Sequence, residues 1–219
     1  MKKVVIFDLD GTLVRGQSQR LFMNYLFGKG LVRAIPCAKL YCWFILHKIG
    51  LAKDPEKAMR YAFSFFKNWR VDMMEILVQD FMQSTLQENV YAQGKELIAE
   101  HDPTECHLIL LSNAFESLSK TAAEQLGISS AFGTTLESSE GRFTGRLSGQ
   151  PLFGNAKAEF IKRYVEKHHI SLKGSWAYGD SISDLPVLEL VDNPVAVNPD
   201  RKLYREALIR NWPIIRFEG

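Results

Sequence analysis

Several short apolar runs along the chain end abruptly in polar or charged residues. Val4–Phe7 leads directly into Asp8 and Asp10, and His107–Leu111 leads into Ser112. Continuous apolar runs of this length are typical of parallel strands that are buried on both faces. Later strands are predicted over 195–199 and 213–217. The pattern predicts an α/β fold with a parallel sheet, whose ligand site lies beyond the carboxyl ends of its strands.

The chain changes from strand to helical periodicity after the first strand. A helix is predicted to end at Gly28 and Gly30, and its apolar positions are Leu21, Phe22, Tyr25 and Leu26. Asp54-Pro55 predicts the start of a second helix, with a buried stripe at Met59, Ala62, Phe63 and Phe66. Asp72 and Glu75 have the spacing of a capping box, which predicts a third helix that carries Ile76, Leu77, Phe81 and Leu86.

The length of this helical segment indicates an insertion. Roughly 100 residues separate Asp8 from Ser112, whereas a crossover between neighbouring parallel strands needs only a few tens of residues. We therefore predict an all-helical insert over 15–87, with the core formed by 1–14 and 88–219.

The most apolar window of the chain lies inside this insert, at Leu40–Leu46. The window is too short to span a bilayer, which takes about 20 apolar residues. Two interpretations remain open. The window is a buried helix of the insert, or it is an interfacial helix that brings the protein into peripheral membrane contact, with Trp43 at the acyl boundary and flanking lysines at the head groups.

The α/β pattern resumes after the insert. A helix is predicted over Lys95–His101 and is broken by Pro103. A β-hairpin is predicted within 134–153, with strands at Thr134–Glu137 and Phe143–Leu147 and its turn at Glu140-Gly141. A further helix is predicted to open at Gly154–Lys157.

Composition and charge fit a soluble enzyme. The chain has 219 residues, of which 46% are hydrophobic and 24% charged, enough for a sizeable core. A formal net charge of +2 argues against nucleic acid as a partner. Cys37, Cys42 and Cys106 lack paired metal-ligand spacing, which argues against zinc and a disulfide framework. We expect a cytoplasmic protein, because the first apolar run stops at Asp8, too early for a secretory signal.

The strand ends carry the candidate chemistry. Asp8 and Asp10 stand two residues apart, so one carboxylate can attack an electrophile while the other exchanges a proton, and both can share a cation. Gly11 allows the backbone to approach a bound anion. Taken alone, each feature has a simpler explanation, because Asp-Gly turns, serine helix caps such as Ser112 and solvated lysines such as Lys157 are all common.

Four motifs in order make the pattern more specific. The motifs are Asp8-Leu9-Asp10-Gly11-Thr12, Leu110-Leu111-Ser112-Asn113, Lys157, and Gly179-Asp180-Ser181-Ile182-Ser183-Asp184. Together they resemble the motifs of the haloacid dehalogenase-like hydrolase superfamily. The segment Gly141-Arg142-Phe143-Thr144-Gly145 is similar to a pattern of its phosphoserine-phosphatase-like branch. The resemblance implies a Rossmann-like core with an inserted helical cap that closes over the site.

The resemblance also implies a role for each motif residue. Asp8 would be the nucleophile and Asp10 the general acid and base, with Ser112 and Lys157 stabilising charge during catalysis. The substrate phosphate would be bound by Gly11, Ser112, Asn113 and Lys157. Mg²⁺ would be the cofactor, held by Asp8, Asp10 and Asp180. Asp184 would orient Lys157 or a metal-bound water.

The substrate implied by the resemblance is a phosphomonoester, and its leaving group stays open. Phosphoserine is disfavoured, because Gln17 and Ser183 stand where phosphoserine phosphatases usually have glutamate and asparagine. The basic and aromatic window of the insert is similar to the phosphatidylglycerophosphatase C type, which implies a lipid phosphate. The alternatives are a small soluble phosphomonoester and a non-catalytic phosphate-binding protein on the same fold. Dehalogenation is disfavoured, because the dehalogenases of the superfamily lack an acid at the position of Asp10.

Overall fold

The computed structural model of the protein describes residues 2–32 and 55–218. Its strands are β1 (Lys3–Phe7), β2 (Cys106–Phe115), β3 (Ser130–Thr134), β4 (Leu136–Ser139), β5 (Arg142–Leu147), β6 (Trp176–Gly179), β7 (Asn193–Val197) and β8 (Ile214–Ile215). Six strands form one sheet in the order β3-β2-β1-β6-β7-β8, and all neighbours are parallel. The predicted α/β fold with a parallel sheet is confirmed.

Helices cover both faces of this sheet. They are α1 (Ser18–Gly28), α2 (Pro55–Ser64), α3 (Val71–Phe81), α4 (Ala92–Ala99), α5 (Glu116–Gln125), α6 (Asn155–Lys167), α7 (Leu185–Leu188) and α8 (Arg201–Ile209). Side chains of β1 alternate between two apolar clusters. Val5 and Phe7 join the cluster that contains residues of α1 to α5, whereas Val4 and Ile6 join the cluster that contains residues of α6 to α8.

The connectivity of the sheet places a crevice at the end of β1. The chain passes from β1 through β2 to β3 on one side, and β6, β7 and β8 lie on the other side. In open α/β sheets ligands bind at such a switch point, outside the carboxyl ends of the strands. Asp8 follows β1 directly, and its backbone N–H donates to the Tyr178 carbonyl of β6 at 3.0 Å.

Two strand predictions need correction around β2. The second strand does not end at Ser112 but continues to Phe115, and β3 lies beside it with a register shift between Leu111 and Phe115. Thr134 is the last residue of β3 in the main sheet and not part of the hairpin, whose first strand β4 begins at Leu136. The sequence analysis missed β3 because its half-polar residues lack the apolar character of the other core strands.

The helices between β1 and β2 pack against the end of β2 through aromatic rings. Phe22 of α1 lies 5.1 Å from Phe81 of α3 and 5.4 Å from Phe115, between ring centroids. Phe66, beyond the end of α2, lies 5.9 Å from Phe115. These rings belong to the same apolar cluster as one face of the sheet. The division into an insert and a core therefore stays a prediction, because the apolar packing is continuous between them.

The predicted start of the third insert helix is wrong. The N-cap residue of α3 is Arg70, and Asp72 lies in the first turn, where its carboxylate pairs with the Arg70 guanidinium and accepts from the Met73 N–H at 2.8 Å. The Arg70 side chain does not cap this helix end, and the Val71 N–H donates to the Gly141 carbonyl at 2.9 Å. The buried face of α3 consists of Met74, Val78 and Phe81, whereas Ile76 is exposed.

The hairpin of β4 and β5 pairs with the loop between α2 and α3. The Asn68 N–H donates to the Phe143 carbonyl at 2.8 Å, and the Phe143 N–H donates to the Trp69 carbonyl at 2.9 Å. The predicted turn is confirmed, since Glu140 and Gly141 both have positive φ angles, 50° and 73°, as in the tight turns that suit hairpins. The hairpin thus gains a third strand-like neighbour from the helical segment.

Two predictions fall on undescribed residues. The Leu40–Leu46 window and the Asp54 cap lie outside the described ranges. Among the helices of residues 2–32 and 55–218, none has the length and apolar character needed to cross a membrane.

The aromatic cluster allows a test of the packing between α1 and β2. Phe22 is 1% exposed, whereas Phe27 on the same helix is 52% exposed. We expect Phe22→Ala to lower the free energy of unfolding by about 3–5 kcal/mol, because it leaves a cavity among four other rings. The matched control Phe27→Ala should change it by less than about 0.5 kcal/mol. Urea unfolding of both variants measures the difference, and equal losses would contradict this account of the core.

Candidate active site

A buried lysine lies between two carboxylates at the end of β1. Lys157 is near the start of α6, and its Nζ donates to Asp8 Oδ1 at 2.6 Å and to Asp184 Oδ1 at 2.7 Å. All three residues are less than a tenth exposed. The contacts of Lys157 thus join three segments that are distant in the sequence, and the motif resemblance predicted that these segments lie together. It also excludes the solvated-lysine explanation for Lys157.

The charge of this lysine is maintained by its partners. Burial disfavours the charged form, but the carboxylates of Asp184 and Asp8 outweigh burial and raise the pKa of Lys157 above the ordinary value for lysine. Burial raises the pKa of Asp8 to about 7, and Asp184 and Asp10 add to the rise, while Lys157 opposes it. Without further positive charge, the Asp8 carboxyl group would be only partly ionised near neutral pH.

Asp180 adds another carboxylate to this site, which increases its need for positive charge. Asp8, Asp180 and Asp184 can each place one carboxylate oxygen within 4.8 Å of the others. Burial, and next the charge of Asp8, raise the pKa of Asp180 to about 9. Crowded acidic oxygens of this kind fit a hard divalent cation such as Mg²⁺, which would stabilise their ionised forms.

The carboxylate of Asp10 does not belong to this group of three. Its Oδ1 accepts a hydrogen bond from the backbone N–H of Ser18 at 2.7 Å, and its Oδ2 is buried without a partner. Burial raises the pKa of Asp10 to about 6, and hydrogen bonding from Ser18 opposes the rise. A carboxyl group whose pKa lies this close to neutrality is suited to exchanging protons. The assignment of Asp10 as a metal ligand stays a prediction.

Gly11 brings the backbone against the side chain of Asp180. A Cβ atom at Gly11 would lie 2.1 Å from Asp180 Oδ2, and the residue has a φ of 84°. Its N–H donates to the Val14 carbonyl at 2.8 Å, and its carbonyl accepts from Asn198 Nδ2 at 2.9 Å. The binding of phosphate by Gly11 stays a prediction. Because Gly11 has no side chain, it also leaves the space that the Asp180 carboxylate occupies.

The motif Leu110-Leu111-Ser112-Asn113 lies inside β2 and contacts α1. Ser112 is fully buried, and its Oγ accepts from the Ala114 N–H at 3.1 Å. It lies inside β2, so it is not a helix cap, and Phe115 precedes the first residue of α5. The Asn113 carbonyl accepts from the side-chain amide of Gln19 at 3.2 Å. The roles of Ser112 and Asn113 in binding phosphate stay predictions.

The sequence analysis missed three residues that shape this site. Ser18 binds Asp10 through its backbone N–H. Asn198 holds the Gly11 carbonyl, and Asp200 accepts from the Ile182 N–H at 3.1 Å and donates its own N–H to the Asp180 carbonyl at 2.7 Å. Ser18 stands before an apolar helical stripe, a position typical of helix starts, but only the fold shows that it lies against Asp10. Asn198 and Asp200 flank a proline after β7, and nothing in their spacing indicates the loops that they contact.

Comparison with known proteins identifies the family. The model of the haloacid dehalogenase-like hydrolases matches residues 5–189, which includes all four motifs. The chain therefore belongs to this family of hydrolases, as the motif resemblance implied.

Several proteins that resemble this chain are named as phosphatases. A phosphoserine phosphatase of Mycobacterium tuberculosis is 31% identical, with 96% of this chain and 70% of the relative covered. A histidinol-phosphatase of Neisseria meningitidis serogroup C is 28% identical over the full length of both chains. The crystal structure of an apo phosphoserine phosphatase shares the fold, with a TM-score of 0.68, 20% identity, and 100% of this chain and 94% of the other covered.

The close approach of Gly11 to Asp180 leads to a test with a matched control. Gly11 and Gly16 have nearly equal φ angles, 84° and 82°, but a Cβ at Gly16 would meet only the end of Arg20, at 3.9 Å. Alanine at either position should cost about 1–2 kcal/mol of stability through backbone strain. We expect Gly11→Ala alone to slow hydrolysis of a chromogenic phosphomonoester, by about 10²-fold, because Asp180 must move.

Steady-state kinetics and thermal unfolding of the two variants separate these effects. Similar losses of activity in Gly11→Ala and Gly16→Ala would show that strain, and not the displacement of Asp180, is responsible.

Proposed function

We propose that the protein is a magnesium-dependent phosphomonoester phosphatase that acts through an aspartyl-phosphate intermediate. The observation that carries this proposal is the position of Asp8 at the switch point of the sheet, 2.6 Å from the buried Lys157 ammonium. A carboxylate held beside a fixed cation and two further acidic groups is suited to covalent attack on phosphorus. The family and the phosphatase names of its relatives support the same reaction class.

The reaction proceeds in two displacements at phosphorus. An Asp8 carboxylate oxygen forms a bond to phosphorus while the ester bond breaks, and Asp10 gives its proton to the departing oxygen. Water then attacks phosphorus, Asp10 takes a proton from that water, and the bond to Asp8 breaks. Lys157 and Ser112 stabilise negative charge on the phosphoryl oxygens. Mg²⁺ bound to the acidic cluster would neutralise phosphate charge and keep the carboxylates ionised.

The relatives suggest a small soluble substrate. Phosphoserine and histidinol phosphate are both primary phosphate esters with an amine on the adjacent carbon. Gln17, which stands where phosphoserine phosphatases have glutamate, disfavours phosphoserine itself. The relative that aligns with this chain over its full length carries the name histidinol-phosphatase, and this favours histidinol phosphate among such esters.

A lipid phosphate is the second candidate. The observation in its favour is a set of large apolar side chains that are about half exposed on and after the helices between β1 and β2, namely Phe27, Leu31, Met73 and Ile76. Where exposed apolar side chains form one continuous patch, they mark a surface that contacts membranes or other proteins. Such a contact would bring the site to a phosphate group at the bilayer surface.

A hydrolysis panel tests this proposal. We expect wild-type protein with Mg²⁺ to hydrolyse histidinol phosphate faster than phosphoserine and dispersed phosphatidylglycerophosphate. Excess chelator should abolish turnover, and Mg²⁺ should restore it, because the acidic cluster lacks positive charge. Asp8→Asn should remove turnover of all three esters while the unfolding temperature changes little, since the nucleophile is lost at nearly constant volume.

The control variant is Asp192→Asn. It changes an exposed aspartate outside the site and should leave turnover unchanged. Fastest turnover of the lipid, together with salt-sensitive sedimentation on anionic vesicles, would favour the second candidate. Turnover of none of the esters would favour a non-catalytic phosphate-binding protein, and full activity in chelator would contradict the requirement for magnesium.

A further inference from the structure

Two unsatisfied polar atoms lie together at the start of α1. Within residues 2–32 and 55–218, Asp10 Oδ2 and Ser18 Oγ are the two fully buried side-chain polar atoms without a hydrogen-bond partner. They belong to residues already joined by the hydrogen bond from the Ser18 N–H to Asp10 Oδ1, 2.7 Å long. The unsatisfied acceptor and the unsatisfied hydroxyl therefore occupy the same part of the site.

A hydroxyl in this position is hard to explain by packing alone. Ser18 is fully buried as the first residue of α1, and its side chain does not cap the helix. A buried polar group without a partner costs about 1–3 kcal/mol. Alanine would fill nearly the same volume without that cost. The hydroxyl is therefore better explained by a bond that it makes during the reaction.

We propose that Ser18 is a positioning residue for the general acid and base Asp10. This inference rests on the proposed phosphatase function. The Ser18 N–H occupies Asp10 Oδ1, which leaves Oδ2 as the oxygen that carries the proton. A serine hydroxyl can donate or accept. It donates to Oδ2, and this bond strengthens when Oδ2 becomes ionised, so that the proton of Oδ2 stays directed at the leaving oxygen and the same contact holds Asp10 in both states.

The proton balance does not involve loss of the serine proton. As the ester bond breaks, the proton of Asp10 Oδ2 moves to the leaving oxygen, and the Ser18 hydroxyl continues to donate to the ionised Oδ2. As water attacks phosphorus, one water proton moves to Oδ2 and the bond between Asp8 and phosphorus breaks. Ser18 keeps its own proton throughout, and only the strength of its bond to Oδ2 changes.

Leaving-group dependence distinguishes this role from a structural one. An alkyl leaving group needs a proton from Asp10, whereas nitrophenolate leaves without one. The probes are nitrophenyl phosphate and whichever of the three panel esters the wild type hydrolyses fastest. We expect Ser18→Ala to lower kcat for the alkyl ester roughly 10-fold, which is part of the about 10²–10⁴-fold supplied by general acid catalysis. Its kcat for nitrophenyl phosphate should fall less than about 2-fold, and KM should stay unchanged for both esters.

Three further variants make the test specific. Ser18→Thr keeps the hydroxyl and should restore turnover of the alkyl ester. Ser119→Ala removes another fully buried serine hydroxyl, one that contacts the Phe115 carbonyl at 3.3 Å, and should not discriminate between the esters. In an Asp10→Asn background, Ser18→Ala should not lower kcat for the alkyl ester any further, because Ser18 acts through Asp10.

The results separate a positioning role of Ser18 from a purely structural role. Equal losses on both esters in a folded Ser18→Ala protein, or an additional loss in the Asp10→Asn background, would overturn the role of Ser18 while the phosphatase assignment stands. Failure of Ser18→Thr to restore activity, with normal thermal unfolding, would also overturn it. If wild-type protein hydrolyses neither probe, the proposed function itself fails, and the role of Ser18 fails with it.

Discussion

The buried contact of Lys157 with Asp8 and Asp184 is the constraint on which the rest of the site depends. Removing charged groups from water costs several kcal/mol for each group, and this cost is offset only if partners are fixed at short distance. Here one ammonium contacts two carboxylates at 2.6 and 2.7 Å. Because Asp180 adds a further acidic group, the site contains more acidic groups than its one ammonium can keep ionised. That excess is the physical basis for expecting a divalent cation.

The surrounding fold supplies the rigidity that these contacts require. Asp8 is held by β1, which pairs with β2 on one side and β6 on the other. Asp184 is fixed by a reciprocal cap with Ser181, and the Asp200 N–H holds the Asp180 carbonyl. Asp10 is held by α1 through Ser18. Asp8, the proposed nucleophile, is thus held by the sheet, whereas Asp10, the proposed acid and base, is held by a helix of the predicted insert. Different contacts therefore position the two carboxylates.

The parts of the molecule that could be predicted from the sequence are those with strong local patterns. The strand β1 ends at the predicted residue and β2 ends three residues beyond it. Both strands were predictable because burial on both faces restricts a strand to apolar side chains. The strand β3 and the start of α3 were not predicted correctly, since β3 depends on pairing with β2 and the first N–H of α3 donates to the distant Gly141 carbonyl of the hairpin turn. Ser18 and Asn198 were missed for a similar reason, because their roles depend on contacts across the fold.

The central claim is that Asp8 forms a covalent bond to the transferred phosphoryl group. Turnover quenched with borohydride tests it, because borohydride reduces an aspartyl phosphate to homoserine at the modified position, and peptide mass spectrometry locates the change. The account predicts reduction at Asp8 that requires both substrate and Mg²⁺ and is absent from the Asp8→Asn variant. Reduction at another aspartate, or none under conditions of rapid turnover with an equally fast quench, would contradict it.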